Sequence, residues 1–263
     1  MLSAQICVLL NLSMDLRSDG KIRGYQERNY RNLLLDQGLI SFQVKVKETD
    51  LYIRAAQDLQ QSAFQSILRY RYQLEKYISQ HPEFFRSMVP LAADEFAPPI
   101  VKEMIRAAQL AGVGPMAAVA GAMAESVGQD LLQESPEVIV ENGGDIFLLS
   151  AKESRVGIFA NTSPLSFRVG LRIPAVSHGW GVCTSSGTVG PSLSLGRADA
   201  VCVLSPSAAL ADAAATAVGN LVGSPSDLPR GLEKAKTIPG LTGTVIIIGD
   251  RLGAWGDIEL IEI

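Results

Sequence analysis

The stretch "EVIVENGGDIFLLS", residues 137–150, decides the fold class. Two short apolar runs, typical of strands, flank the sequence Asn142-Gly143-Gly144-Asp145. Glycine adopts positive φ without a steric penalty, so this sequence favours a tight hairpin turn. The pattern therefore predicts two antiparallel neighbouring strands.

Outward from this hairpin, strand patterns continue on both sides of the chain. Short apolar runs separated by Gly, Pro, Asn or Ser predict strands at "LISFQVKV" (39–46), "LYIRA" (51–55), "RVGIFA" (155–160), "FRVGLRI" (167–173), "WGVCTS" (180–185), "DAVCVLS" (199–205), "GTVIIIGD" (243–250) and "WGDIELIEI" (255–263). Most of these strands follow one another directly along the chain.

Helical periodicity is concentrated in fewer segments. It predicts helices over 56–80, about 99–111 and 115–134, and an alanine-rich helix after Ser205-Pro206-Ser207. His81-Pro82 is expected to end the first helix, and "GSPSDLPRG" (223–231) is expected to be a loop. Consecutive strands and a block of helices indicate an α+β fold of mainly antiparallel sheets packed with helices, rather than a doubly wound parallel sheet.

Composition narrows the classes of function. The chain has 263 residues and a net charge of −4, which argues against a general nucleic-acid binder. The three cysteines are widely spaced and form no CxxC pair, a usage that fits a reducing cytoplasm and indicates no zinc knuckle. Apolar stretches are too short or too interrupted by glycine to predict a membrane span. Residues 1–24 are expected to be an N-terminal extension ahead of a single domain over 25–263.

The alanine-rich segment "ALADAAATAVGN" (209–220) carries two polar side chains, Asp212 and Thr216, one helical turn apart. A carboxylate and a hydroxyl on one helix face can supply two oxygens to Mg²⁺, with waters and substrate phosphates completing its six-fold coordination. The alternative is structural: Asp212 bonds first-turn N–H groups near Ser207, and Thr216 bonds back to a carbonyl of its own helix. Spacing alone leaves both interpretations open.

Other segments offer weaker signals. "GVGPMA" (112–117) matches G-x-G-x-x-A, but a helix rather than a strand precedes it, so a helix-to-helix turn is expected, with free N–H groups near Pro115 as an alternative phosphate contact. "TSSGT" (184–188) is either a phosphate-binding loop or a solvated turn. His178 and Cys183 lie close to this loop and are alternative candidates for acid–base or thiol chemistry.

Taken together, three parts of the chain resemble the flavin transferase (ApbE) superfamily. They are "AGAMAES" (120–126), "ENGGDI" (141–146), and "TSSGT" followed by "ADAAATA" (211–217). The order of a glycine-rich helix start, an N-x-G-G-D-like turn, a T-S-G loop and a D-A-x-x-T helix is more specific than any single motif. The flanking sequence is similar to an uncharacterised bacterial and archaeal branch of ApbE-like proteins, from about Tyr25 onward.

The resemblance implies a protein that binds FAD with Mg²⁺ at its pyrophosphate. Members that are transferases cleave FAD, attach FMN to a threonine of a partner protein and release AMP. By this resemblance Asp212, Thr216 and the backbone carbonyl of Ala122 would hold the metal. The same resemblance places a second set of residues at the nucleotide, namely Glu125, Gly143, Gly144, Asp145, Thr184, Ser185, Ser186 and Gly187.

The chain also departs from the transferase pattern. Transferases carry a histidine-containing I-D-P-x-T-G segment before the D-A-x-x-T helix, whereas residues 189–210 contain no histidine and no Asp-Pro. Val119 stands where an aspartate is common. Three functions therefore remain: an FMN transferase, a non-catalytic flavin or nucleotide carrier, and a different enzyme on the same scaffold that uses Cys183 or His178. No catalytic residue is assigned, and the sequence does not indicate the oligomeric state.

Overall fold

A computed structural model describes residues 6–8, 38–175, 178–186 and 196–263, with only the backbone described for 6–8. The strands are β1 (Ile6–Val8), β2 (Ile40–Val46), β3 (Thr49–Ala55), β4 (Val138–Asn142), β5 (Asp145–Leu149), β6 (Ser154–Ile158), β7 (Val169–Ile173), β8 (Trp180–Ser185), β9 (Ala200–Ser205), β10 (Gly243–Ile248), β11 (Arg251–Gly256) and β12 (Glu259–Glu262). The helices are α1 (Gln60–Gln80), α2 (Pro82–Arg86), α3 (Pro99–Ala111), α4 (Val119–Leu131), α5 (Ala208–Gly219) and α6 (Leu228–Thr237). Short 3₁₀ turns cover Pro115–Ala118 and Pro225–Asp227.

Within these described ranges the strands form two antiparallel sheets. The larger sheet has eight strands in the order β11-β10-β9-β8-β5-β4-β3-β2, and the smaller has four in the order β1-β6-β7-β12. The hairpin predicted at 137–150 joins β4 to β5, with Gly143 and Gly144 at φ of 71° and 134°. The predicted α+β class, with mainly antiparallel sheets and packed helices, is confirmed.

The larger sheet is the middle layer of three. Its two faces contribute to two separate apolar clusters, one shared with the helices and one shared with the smaller sheet. Successive residues of a strand point to opposite faces, so Cys183 of β8 lies on the helix side whereas Cys202 of β9 lies on the side of the smaller sheet. Both thiols are buried and free.

Phe147 of β5 fixes the distance between the larger sheet and α4. Its ring is fully buried between two glycines. A Cβ added at Gly128 of α4 would lie 2.2 Å from Cδ1 of the ring, and one added at Gly179 would lie 2.3 Å from Cε2. The sequence places glycine at both positions because the ring already fills the space that any side chain would need.

Two helices were not predicted. Pro82 ends the expected long helix but also begins α2, since proline suits the first position of a helix. The segment expected to be a loop at 223–231 begins with a capping box between Ser224 and Asp227 and leads into α6. Gly231 of α6 lies against Ile246 and Val222 with no room for a Cβ. Proline and glycine at these positions start and pack helices rather than break them.

Most of the predicted N-terminal extension, 1–5 and 9–24, lies outside the described residues. Ile6–Val8 pairs antiparallel with β6 in the smaller sheet. The boundary at residue 25 stays a prediction. Among the described helices none is long and apolar enough on its own to cross a membrane, although α3 and the segment Pro115–Leu131 pass by length and composition as a pair bent by 105°.

Candidate functional site

Asp212 of α5 is held by the start of α4. One oxygen of its carboxylate, Oδ2, accepts hydrogen bonds from the backbone N–H groups of Ala120, at 3.1 Å, and Gly121, at 2.9 Å. The contact requires close packing of the two helices. A Cβ at Gly121 would lie 2.2 Å from the carbonyl oxygen of Ala208 and 2.9 Å from Cβ of Asp212. Gly121 therefore lets the carboxylate reach the first turn of α4.

The N-terminus of α5 is capped by other groups. The Ser207 hydroxyl accepts from the N–H of Leu210, and Glu125 of α4 accepts from the N–H groups of Ala208, at 2.8 Å, and Ala209, at 3.2 Å. Asp212 therefore does not bond the first-turn N–H groups near Ser207, as the structural alternative required. Within the described ranges the hydroxyl of Thr216 forms no hydrogen bond, so it does not bond back to a carbonyl either. Asp212 and Thr216, the two polar side chains of the alanine-rich helix, are therefore free of capping roles in α5, and both line a cavity beside it.

The glycine hairpin brings Asp145 to the same place. Asp145 begins β5 directly after Gly144 and lies opposite Cys183 in the sheet register. Its Oδ1 atom is buried and has no hydrogen-bond partner among the residues that the structure describes. Asn142, on the other side of the turn, donates from Nδ2 to the Ala120 carbonyl at 3.1 Å. The turn thus ties the larger sheet to the start of α4 and presents a buried carboxylate beside α5.

Asp145 and Asp212 influence each other electrostatically. Burial raises the pKa of Asp145 well above its ordinary value, and the negative charge of Asp212 raises it further. Burial also raises the pKa of Asp212 to about 7, although its two backbone N–H bonds act in the opposite direction. Both residues keep part of their surface open to a cavity, so the unfavourable charge lies where a bound cation can reach it. A divalent cation would allow both groups to ionise.

This cavity has a volume of about 490 Å³, within the range of small-molecule sites. Its lining includes Asp145, Asp212 and Thr216, and we call these three residues the floor. One group of lining residues lies in the turn between α3 and α4, at 113–120, and another lies in the segment 85–88, which comprises the last two residues of α2 and the two residues that follow it. Carboxylate and hydroxyl oxygens at the floor are donors that suit a hard cation such as Mg²⁺. The described residues hold no cluster of three or more His, Cys, Asp or Glu side chains of metal-binding arrangement.

Comparisons with known proteins identify the family. A family model described as "AbpE bacteria" matches residues 31–238, which include every residue that lines the cavity. The chain belongs to this AbpE family. It is similar to UPF0280 proteins of Methanococcus aeolicus, at 40% identity over 84% of this chain and 91% of the relative, and of Methanococcus vannielii, at 42% identity over 84% and 92%. The predicted resemblance to an ApbE-like branch is confirmed.

Solved structures show the same fold. The chain is similar to the apo form of the flavinyl transferase ApbE of Pseudomonas stutzeri, with a TM-score of 0.55 and 16% identity over 82% of this chain and 93% of that one. It is also similar to the ApbE protein of Thermotoga maritima, with a TM-score of 0.54 and 13% identity over 82% and 96%. At this level of identity the likeness establishes the AbpE-family fold of the chain and not its activity.

Several predicted site residues of this AbpE-family chain lie elsewhere. Glu125 is engaged as the cap of α5 and does not line the cavity. Ala122 is buried in α4, whereas Ala120, two residues earlier, lines the cavity. The role of the Ala122 carbonyl as a metal ligand stays a prediction.

The residues of the T-S-G loop lie at the end of β8. Thr184, Ser185 and Ser186 are buried there, and Gly187 lies outside the described residues. The N–H of Thr184 donates to the carbonyl of Gly144 at 3.2 Å, which connects this strand end to the glycine hairpin. Their contact with a nucleotide stays a prediction.

The two alternative catalytic candidates are not in the cavity. The Cys183 thiol is fully buried and donates to the Ala208 carbonyl at 3.3 Å. Burial, followed by the nearby carboxylates of Asp145 and Asp212, raises its pKa well above the ordinary value, which disfavours the reactive thiolate. The His178 ring packs against Trp180, with centroids 5.1 Å apart. Neither side chain is placed to act on a ligand at the cavity floor.

The segment 85–88 was not predicted as part of a site. The only available signal was local: "HPEFFRSMV" (81–89) puts aromatic, basic and apolar side chains together after a proline. The structure brings this segment to the same cavity as the carboxylates, with its backbone packed against Gly114 of the turn between α3 and α4. "GVGPMA" forms this turn, as predicted, with Gly112 at a φ of 82°.

Proposed function

We propose that this chain binds a flavin nucleotide, such as FAD, or a related phosphate ligand as its complex with a divalent cation, Mg²⁺. The observation that carries the proposal is the convergence of the Asp145 and Asp212 carboxyl groups beside the Thr216 hydroxyl on the floor of one cavity. Mg²⁺ prefers six oxygen ligands and usually takes only one or two carboxylates from protein, with phosphates and waters completing its coordination. The donor set fits that requirement.

Each residue of the floor has a defined part in this proposal. The backbone N–H groups of Ala120 and Gly121 hold Asp212 Oδ2, which leaves Oδ1 of the same residue for the ion. Asp145 offers its unpartnered Oδ1, and Thr216 offers its hydroxyl. The bound cation would neutralise charge on a pyrophosphate and make its phosphorus a better target for attack.

Transfer of FMN to a threonine of a partner protein is a second candidate. Its support is the fold shared with the flavinyl transferase ApbE of Pseudomonas stutzeri. The sequence between the T-S-G loop and α5 lacks the histidine and Asp-Pro of the transferase pattern, which favours reversible binding, as in a carrier, over transfer. The two candidates share one ligand site and differ only in the fate of FAD.

A calorimetric titration with FAD, with and without Mg²⁺, tests the proposal, followed by chromatography of the mixture for AMP and FMN. We expect Mg²⁺-dependent binding, and we expect Asp212→Asn and Asp145→Asn each to weaken it by at least about tenfold. Asp250→Asn is the matched control, since Asp250 is exposed and, among the described residues, pairs only with its neighbour Arg251. Intact FAD after incubation supports the carrier, whereas release of AMP supports transfer. FAD binding that is unchanged in both site variants contradicts the proposed site.

A further inference from the structure

We infer that the segment 85–88, which we call the strap, recognises two chemical groups of the ligand: Arg86 binds a phosphate, and Phe85 with Met88 packs against a planar ring. The inference rests on the proposed function and adds residues that neither the motifs nor the resemblance assigned. It begins with the charge of the cavity. Of the described residues that line it, Arg86 alone carries a positive charge, and the floor of the same cavity holds two carboxylates.

The Arg86 guanidinium is available for an anion. In the part of the chain that the structure describes, it takes part in no ion pair or hydrogen bond, and Glu83, one turn earlier, contacts His81 instead. Arginine matches phosphate oxygens with two parallel N–H donors. A phosphate held by a cation at the floor would therefore present its remaining oxygens to a guanidinium that lines the same cavity.

Two large apolar side chains close to this arginine in the sequence are exposed to solvent. Phe85 is 58% exposed and Met88 is 52% exposed, and both line the cavity. Together with Val113 and Met116 they form the apolar part of the cavity lining, which we call the apolar slot. Exposed apolar surface at the mouth of a cavity is typical of a ligand site, and an aromatic ring next to a flexible thioether suits a flat heterocycle.

The strap has a defined shape. The N–H of Ser87 donates to the Glu83 carbonyl at 2.8 Å, and the Ser87 hydroxyl donates to the Val89 carbonyl at 2.6 Å. A Cβ at Gly114 would lie 1.8 Å from the Ser87 carbonyl oxygen, so the strap backbone lies directly against the glycine of the turn between α3 and α4. The backbone that carries Phe85, Arg86 and Met88 is thus held in place before any ligand arrives, which lowers the entropic cost of binding.

The charge pattern and the apolar slot together identify the class of ligand. The ligand would place a cation at the floor, a phosphate between that cation and Arg86, and a ring against Phe85 and Met88. A nucleotide fits this arrangement, because it carries a planar ring and at least one phosphate on the same sugar or sugar alcohol. Inorganic pyrophosphate, which has no ring, would contact only the floor and Arg86. This difference allows the two halves of the strap to be tested separately.

The test measures the Kd of FAD and of inorganic pyrophosphate, both with Mg²⁺, for four variants of the full chain. We expect Arg86→Gln to weaken both ligands by about tenfold or more, because each loses charge-assisted hydrogen bonds. We expect Phe85→Ala to weaken FAD by about fivefold or more and to leave pyrophosphate within about twofold, because only FAD carries a ring. The controls are Arg106→Gln on α3 and Tyr72→Ala on α1, an arginine and an aromatic that are exposed and lie outside the cavity.

Circular dichroism and the melting temperature check that each variant is folded. Arg86→Gln without an effect on either ligand, or Phe85→Ala with equal effects on both, overturns the inference. If these variants bind normally while Asp212→Asn does not, the inference fails and the proposed cation site stands. If the unchanged chain binds neither FAD nor pyrophosphate, both fail.

Discussion

Asp212 shows how the role of one residue depends on neighbours that are remote in sequence. Its spacing from Thr216 permitted either a cap or a metal ligand, and the structure shows a third arrangement. The carboxylate accepts two N–H groups from α4, faces Asp145, and leaves the capping of its own helix to Ser207 and Glu125. Asp145 reaches it only because the glycine hairpin begins β5 at that point.

The raised pKa of Asp212 predicts a pH-dependent stability. Because the folded chain holds this proton more tightly than the unfolded chain, with a pKa of about 7 against 3.8, the stabilisation is complete below about 3.8 and is lost as the pH rises through about 7. Asp145 acts in the same direction. We therefore expect the free energy of unfolding in urea, without divalent cations, to fall between pH 4 and about 7.

The matched variants for this measurement are Asp212→Asn, which should flatten the pH dependence, and Asp250→Asn, which should not. Mg²⁺ should restore stability above pH 7 in the unchanged chain, since the cation binds the ionised carboxylates. Carboxyl groups with lowered pKa, such as Asp94 and Glu75, act at pH values below their ordinary pKa and do not produce this slope. An unfolding free energy that rises from pH 5 to pH 7 would contradict the prediction.

At the level of secondary-structure elements, the site depends on how α4 and α5 meet. Glu125 of α4 accepts N–H groups at the start of α5, and Asp212 of α5 accepts N–H groups at the start of α4. Each helix thus satisfies unpaired backbone donors at the beginning of the other. This exchange fixes the distance of Asp212 from the sheet and so from Asp145.

Glu125→Ala should cost about 1–3 kcal/mol of unfolding free energy, because two backbone N–H groups and the Ser207 hydroxyl lose their acceptor. Ser207→Ala, which removes one cap from the same helix, should cost about 1 kcal/mol. Urea unfolding measures both. If Glu125 also contacts the nucleotide, as the motif resemblance predicts, the Kd for FAD will weaken in the first variant and not in the second.

Gly128→Ala tests the packing of α4 on the larger sheet. The added Cβ would overlap the buried Phe147 ring, which Gly179 prevents from moving away, so we expect a loss of about 1–3 kcal/mol or more. Gly223→Ala is the control, because the nearest atom to its Cβ is 3.6 Å away and its φ is not positive. A melting temperature that is the same for both variants would show that α4 can move away from the larger sheet without a loss of unfolding free energy.

At the scale of the whole molecule, the larger sheet separates side chains on its two faces and so determines which of them can come into contact. Cys183 and Cys202 are on neighbouring strands but on opposite faces, so they cannot form a disulfide without a rearrangement of the sheet. Both are fully buried between layers. Their exposure requires the layers to separate, which in a single cooperative fold is global unfolding.

Thiol labelling should therefore report the stability of the entire fold. In a Cys7→Ser background, which leaves only the two buried thiols, we expect both to react at least about a hundredfold more slowly than in urea, and at equal rates. FAD with Mg²⁺ should slow both further, by mass action on the folded state. Cys183 labelling alone, at a rate that urea does not change, would indicate local opening at β8 and would reopen its candidacy as a reactive thiol.

The sequence by itself determined the features that depend on neighbours along the chain. Alternating apolar residues predicted most strands, the glycine pair at 143–144 predicted the hairpin, and Ser207 marked the start of α5, because each pattern reports a local conformational preference. The order of the motifs predicted the family. Local patterns also misassigned α2 and α6, where proline and glycine serve helix starts and tight packing.

Only the tertiary structure decided what meets at the cavity. Asp145, Asp212 and the strap come from three distant parts of the chain, and their meeting depends on the order of eight strands and on the packing of α4 against α5. A carboxylate acquires a high pKa from burial and from a second carboxylate, and neither is visible in the residues beside it. The sequence specifies which side chains are present, whereas the electrostatic environment of each side chain arises from contacts that folding creates.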